Sequence, residues 1–255
     1  MLTMIAIQSI NGPVDISNLL FFGNIHNALI LYLIQLIFLL LFFIVTNRIF
    51  FNDSLFTDIL KINVSLLLGG FLLSFLLLST ESFIMLFLDL QSIENNNNFN
   101  PLYIFQGLIF SLLVSIKEEV IFRGFLLNEL MKKYKKTLSL FISSLGFCLI
   151  HISLNGIVLF DLLTVFIIGI LIGHLMLKTK NLWTAIGFHA GFDFFLFFLY
   201  GLHSDNLNSS PIWSGNINVT IGLHNFIDFV IITLITVLVI FNPFKIIRRG
   251  DLSLQ

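Results

Sequence analysis

The sequence predicts an all-α fold, a polytopic bundle of about seven transmembrane helices with six to eight as the range. Three observations carry that expectation. The 255 residues are 57% hydrophobic and only 11% charged, whereas a soluble domain carries roughly a quarter charged residues. The apolar residues fall into long stretches separated by short polar ones. The basic residues gather on alternate connections, as the positive-inside rule requires.

A helix needs ~20 mostly apolar residues to cross the hydrocarbon core. The stretches that qualify, in chain order, are Leu29–Thr46, Ile62–Leu88, Leu102–Met131, Leu138–Ile152, Ile157–Leu177, Leu182–Tyr200 and Phe226–Phe241. The fourth is short and the third long, which predicts tilt or partial re-entry. The Asn95–Asn98 run and the Ser/Asn-rich stretch Ser204–Asn218 read as polar loops. The organisation expected is N-terminal transmembrane helices of unassigned role over 1–100, a core over 101–200, and over 201–255 an extracytoplasmic loop, a last span and a basic cytoplasmic tail. The first span has no basic n-region before it, so it reads as an uncleaved targeting signal.

Eleven of the 13 Lys and Arg residues lie on one side under this arrangement. They are Arg48, Lys61, Lys132, Lys133, Lys135, Lys136, Lys178, Lys180, Lys245, Arg248 and Arg249. The other two, Lys117 and Arg123, fall inside the third stretch, while Asp89, Glu94 and Asp205 occupy the opposite loops. The expected location is the cell membrane, multi-pass, with the N-terminus outside and the C-terminus cytoplasmic. The net charge of −1 gives no footing for nucleic acid as a partner, and a single cysteine, Cys148, excludes an internal disulfide.

The polar residues inside the spans carry the functional information. A charged side chain at mid-bilayer costs ~2.5–3.5 kcal/mol or more and needs a partner or a wet cavity. The third stretch holds K-E-E-V-I-F-R-G, with Glu119 and Arg123 one helical turn apart and Glu118 turned ~100° away from Glu119. The fourth ends in F-C-L-I-H, with Phe147 one turn before His151, and the sixth contains H-A-G-F-D, with His189 and Asp193 one turn apart. Measured from the flanking lysines at ~1.5 Å per residue, Glu118, His151 and Asp193 lie ~20–22 Å deep and His189 ~14 Å. These compatible heights predict one shared site. Hydrolysis is the chemistry it permits: a carboxylate can act as general base toward water, and histidine can move protons, ligate a metal or donate to an oxyanion. Histidines with a carboxylate also meet the three-ligand plan of a hydrolytic zinc site; His151, His189 and Asp193 would be its ligands and a divalent metal such as zinc its occupant.

The three motifs together resemble the CPBP family, the CAAX proteases and bacteriocin-processing enzymes also called Abi proteins, whose best-known members are type II CAAX prenyl endopeptidases. E-E-x-x-x-R matches Glu118, Glu119 and Arg123, followed by Gly124; F-x-x-x-H matches Phe147 and His151; H-x-x-x-N/D matches His189 and Asp193. G-I-L-I-G at Gly169–Gly173 and the K-T-K-N-L-W-T-A-I run have the family's look, and the resemblance spans about Tyr103 to Tyr200. It implies a type II CAAX protease-like bundle and a glutamate-type intramembrane endopeptidase, acting on a membrane-associated peptide or protein. By that similarity Glu118 activates water, His151 helps to hold it, Glu119 and Arg123 orient the pair, and His189 and Asp193 face the oxyanion. Asparagine is the commoner residue at the last position. An ionised Asp193 cannot donate to an oxyanion, so it would act protonated, orient His189, or bind metal.

A non-catalytic bacteriocin-immunity or scaffold membrane protein is the alternative reading, and immunity by proteolysis would unite the two. A small carrier would also explain intramembrane carboxylates, but the inverted repeats carriers show are absent from the sequence. Cys148 reads as an inert small hydrophobe, and Gly169 with Gly173 as a close-packing site between helices. Lys117, Asp161, His174, Glu81 and Asp228 lie off the motifs and read as interfacial or pairing groups. The substrate and the oligomeric state are not legible in the sequence.

Overall fold

A computed structural model describes residues 61–95, 101–155, 159–199 and 213–241, together with 30, 33–35 and 37. Helices α1 (Val64–Phe87), α2 (Pro101–Glu119), α3 (Leu127–Met131), α4 (Lys136–Asn155), α5 (Leu159–Thr179), α6 (Leu182–Asp193) and α7 (Ile221–Phe241) build the bundle. Two short strands, β1 (Gln91–Asn95) and β2 (Trp213–Ile217), pair antiparallel with Ile93 opposite Gly215. They join the loop after α1 to the segment before α7, a pairing that the polar composition of both loops concealed.

The protein is an all-α transmembrane bundle. Val64–Phe87, Leu159–Thr179, Leu182–Leu199 and Gly222–Phe241 are long and apolar enough to cross a membrane, and Lys136–Ile152 forms a shorter apolar helix. The third expected span is helical along its length but changes pitch within it, and its charges set it apart from the others. Of the first expected span, Leu29–Thr46, only residues 30, 33–35 and 37 are described, and they are helical. The basic tail after Phe241 lies outside the described residues, as does most of the Ser204–Asn218 loop.

Three of the helix starts have a local cause. The Asn63 side chain accepts from Leu66 N at 3.1 Å and the Asn181 side chain from Trp183 N at 2.9 Å, capping α1 and α6. Pro101 opens α2, where its missing N–H costs nothing. Leu68, Leu72, Leu76, Phe83 and Phe87 of α1 and Leu234, Leu238 and Phe241 of α7 point outward, apolar side chains for which lipid is the compatible solvent.

The centre is the crossing of α1 and α6. A Cβ added at Gly187 would strike the Leu67 carbonyl, one at Gly70 the Thr184 carbonyl, and one at Gly191 the Ser74 hydroxyl. Only glycine lets these backbones touch, the same logic that favours small residues between membrane helices generally. Phe195 then fills the space between Phe71 and Phe75, with ring centroids 4.9 Å from each. This crossing places His189 and Asp193, on α6, against the middle of the bundle.

Candidate active site

Two helices leave α-geometry where the chemistry-bearing residues sit. After Glu119 the chain runs as a π-helix over Val120–Leu126, and after Asp193 as another over Phe194–Leu199. Such widened turns are rare and recur at functional sites. A π-turn leaves carbonyls without their usual partners, and here side chains supply them. Asn128 Nδ2 donates to Arg123 O at 3.0 Å and to Gly124 O at 2.7 Å, and Ser143 Oγ to Phe122 O at 2.8 Å. Nothing in the E-E-x-x-x-R spacing signals the change of pitch; Asn128, five residues after Arg123, is its one trace in the sequence.

Arg123 is fully buried. Its Nη1 donates to Glu119 Oε1 at 2.8 Å, its Nη2 donates to Gly169 O at 3.0 Å, and its guanidinium carbon stands 4.3 Å from the centre of the Phe147 ring. Gly169 therefore does more than permit close packing: its carbonyl holds the arginine, and a Cβ there would press on Ser144, Arg123 and Phe147. Gly173 is a packing position, where a Cβ would strike Leu140.

His189 joins α6 to α2. Its Nδ1 lies 2.7 Å from Glu119 Oε1, while its Nε2 faces Asp193 Oδ2 at 3.5 Å and Glu118 Oε2 at 4.0 Å. Glu119 Oε1 thus receives two donors, Arg123 and His189. With carboxylates on both sides, the imidazole can donate from both nitrogens only as the imidazolium. Glu118 Oε2 is buried and takes no hydrogen bond from the described residues, and Glu118 Oε1 lies 3.9 Å from Lys117 Nζ.

His151 approaches from α4. Its Nδ1 lies 2.8 Å from Phe147 O. A carbonyl oxygen only accepts, so this bond assigns the ring hydrogen to Nδ1 and leaves Nε2 as the acceptor of the neutral ring. Glu118, His189 and Arg123 are all within electrostatic range of it. The Phe147 ring packs against both imidazoles, with centroids 4.7 Å from His151 and 5.6 Å from His189. The structure thus brings Glu118, Glu119, Arg123, His151, His189 and Asp193 into one neighbourhood from three helices.

Among the described residues no three His, Cys, Asp or Glu side chains are arranged to hold a metal ion. Of the expected ligands His151, His189 and Asp193, His189 has Nδ1 on Glu119 and Nε2 toward Asp193, and His151 has Nδ1 on Phe147 O with Nε2 left as an acceptor.

The residues off the motifs are less peripheral than expected. Glu81 is 3% exposed, and Ser82 Oγ donates to its Oε2 at 3.1 Å; on α7, His224 Nδ1 stands 3.1 Å from Asp228 Oδ2. These form a second buried polar cluster toward the β1–β2 end of the bundle. Cys148 is held as a donor to Leu162 O at 3.1 Å.

Buried ionisable groups and glutamate–histidine contacts thus meet inside a bundle of membrane-spanning helices. Residues 100–195, a segment that contains all six residues above, match the family model described as type II CAAX prenyl endopeptidase Rce1-like. No curated protein and no solved structure matches the chain.

Proposed function

We propose that the chain is an intramembrane endopeptidase that hydrolyses a peptide bond in a membrane-associated peptide or protein, with Glu118 as the base that activates water. One observation carries the reading: Glu118 Oε2 is buried, free of hydrogen bonds from the described residues, and 4.0 Å from His189 Nε2. That separation is too long for a direct hydrogen bond, so this oxygen is the one that a water or substrate entering the site would meet.

Glu118 takes a proton from the water as its oxygen adds to the peptide carbonyl, and the proton then passes to the leaving amine. His151, with Nε2 as acceptor, shares in holding the water. His189 donates to the developing oxyanion, steered by Glu119 at its far nitrogen and by Asp193 beside its near one. Arg123 fixes Glu119. Every step uses the chain's own residues.

The basic residues Lys61, Lys132, Lys133, Lys135, Lys136, Lys178 and Lys180 support a cytoplasmic placement for the ends they flank, and so an N-terminus outside and a C-terminus inside. Maturation of a bacteriocin or other peptide, or self-immunity through proteolysis, are roles in keeping with this chemistry.

The test compares released and membrane-bound peptides from cells carrying the wild-type chain, Glu118→Ala or His151→Ala at equal expression. The expected result is a set of cleavage products lost in both variants. Retained products in both would leave a non-catalytic immunity or scaffold role as the reading.

A further inference from the structure

Glu118 and Glu119 are consecutive carboxylates buried side by side, and their counter-charges differ. Glu119 has Arg123 at 2.8 Å. Arg123 directs its hydrogen bonds to Glu119 and Gly169 O and its plane to Phe147, and acts on Glu118 only through space. Lys117 Nζ, by contrast, stands 3.9 Å from Glu118 Oε1. The two residues are neighbours in sequence and start ~100° apart around the helix, so the lysine chain must fold back to bring its ammonium there. On its other side the ammonium lies 3.5 Å from Gln35 Oε1, an acceptor contributed by the helical residues 33–35. The Lys117 side chain is 18% exposed and that of Glu118 10%, so water screens the pair weakly. An ammonium inside a span is costly and marks function by default, and no catalytic motif accounts for this one.

We propose that Lys117 is a positioning residue of the site, supplying Glu118 with the counter-charge that Arg123 supplies to Glu119, while Gln35 holds the ammonium in place. The proposal rests on the reading of Glu118 as the base. It divides the site into two ion pairs with different duties. Arg123–Glu119 is rigid and multiply bonded, and it orients His189. Lys117–Glu118 is looser, longer than a hydrogen bond, and leaves Glu118 Oε2 available to water.

The experiment labels the purified full chain in lipid nanodiscs with a hydrophobic carbodiimide, which reacts with protonated carboxyls, and reads adducts on Glu118 by peptide mass spectrometry. Removing the ammonium in Lys117→Met should raise the labelling rate of Glu118 at least about fivefold, because the carboxylate form loses its nearest fixed cation. Lys117→Arg should return it to within about twofold of wild type. Glu81, buried in the separate cluster, is the internal control and should label equally in all variants. Lys117→Gln keeps a donor toward Gln35 and guards against misfolding of the methionine variant; it too should raise labelling. A wild-type rate at Glu118 in whichever of the two neutral variants folds overturns the proposal. The labelling readout needs no substrate, so it separates from the functional reading: retained cleavage by Glu118→Ala removes the base assignment, whereas an unmoved Glu118 adduct removes only the role of Lys117.

Discussion

His189 Nδ1 meets Glu119 Oε1 at 2.7 Å, a bond between residues 70 apart in sequence. It ties α6 to α2 at the point where α2 turns into a π-helix, and it makes Glu119 a hub shared by an arginine and a histidine. The glutamate adjacent to it is thereby left with looser contacts. One helix turn therefore carries two carboxylates with different environments, the arrangement by which a site separates a structural group from a reactive one.

Glu119→Ala should lower both stability and activity. Arg123 would keep its burial and lose its carboxylate, a loss that costs about 3–5 kcal/mol when one partner of a buried pair is removed. Thermal unfolding in detergent should show a clear drop in Tm. Cleavage should fall by ~100-fold or more as His189 loses its orientation. Glu119→Gln keeps an acceptor for His189 and should lie between. A wild-type Tm for the alanine variant would show that the pair does not hold the helices.

Asp193→Asn should retain cleavage to within about tenfold, because the amide still offers an oxygen toward His189 Nε2 and adds a donor. Asp193→Leu removes the polar partner and should cost about 1–3 kcal/mol of transition-state stabilisation, ~5–150-fold in rate. Equal activity in the two variants would mean that the 3.5 Å contact has no part in positioning the ring.

Asn128→Leu preserves size but leaves the carbonyls of Arg123 and Gly124 without their side-chain donor. A stability loss of about 1–3 kcal/mol follows, read as a lowered Tm in the same detergent. Because the π-turn sets the spacing between Glu119 and the rest of the helix, activity should fall with it. An unshifted Tm would show that the widened turn needs no side-chain support.

Much of this protein was legible before any coordinates. Apolar stretches of spanning length, basic residues on alternate connections and ionisable groups on three spans are local patterns, and helical periodicity turns them directly into an architecture and a short list of residues. Pairing between Glu119 and Arg123 follows from a spacing of four residues alone.

Contacts between distant segments are a different matter. That His189 bonds Glu119 and not Glu118, that Gly169 O holds Arg123, and that Gly187 and Gly70 let α1 and α6 touch depend on how helices cross, which no single-helix pattern encodes. The change to π-pitch after Glu119 escaped for a similar reason: its carbonyls take donors from Asn128 and Ser143, which lie outside the segment. Sequence determined which ionisable groups fall within apolar helices, because that is a local pattern; packing decided which of them hold one another and which, Glu118 above all, remain loosely held.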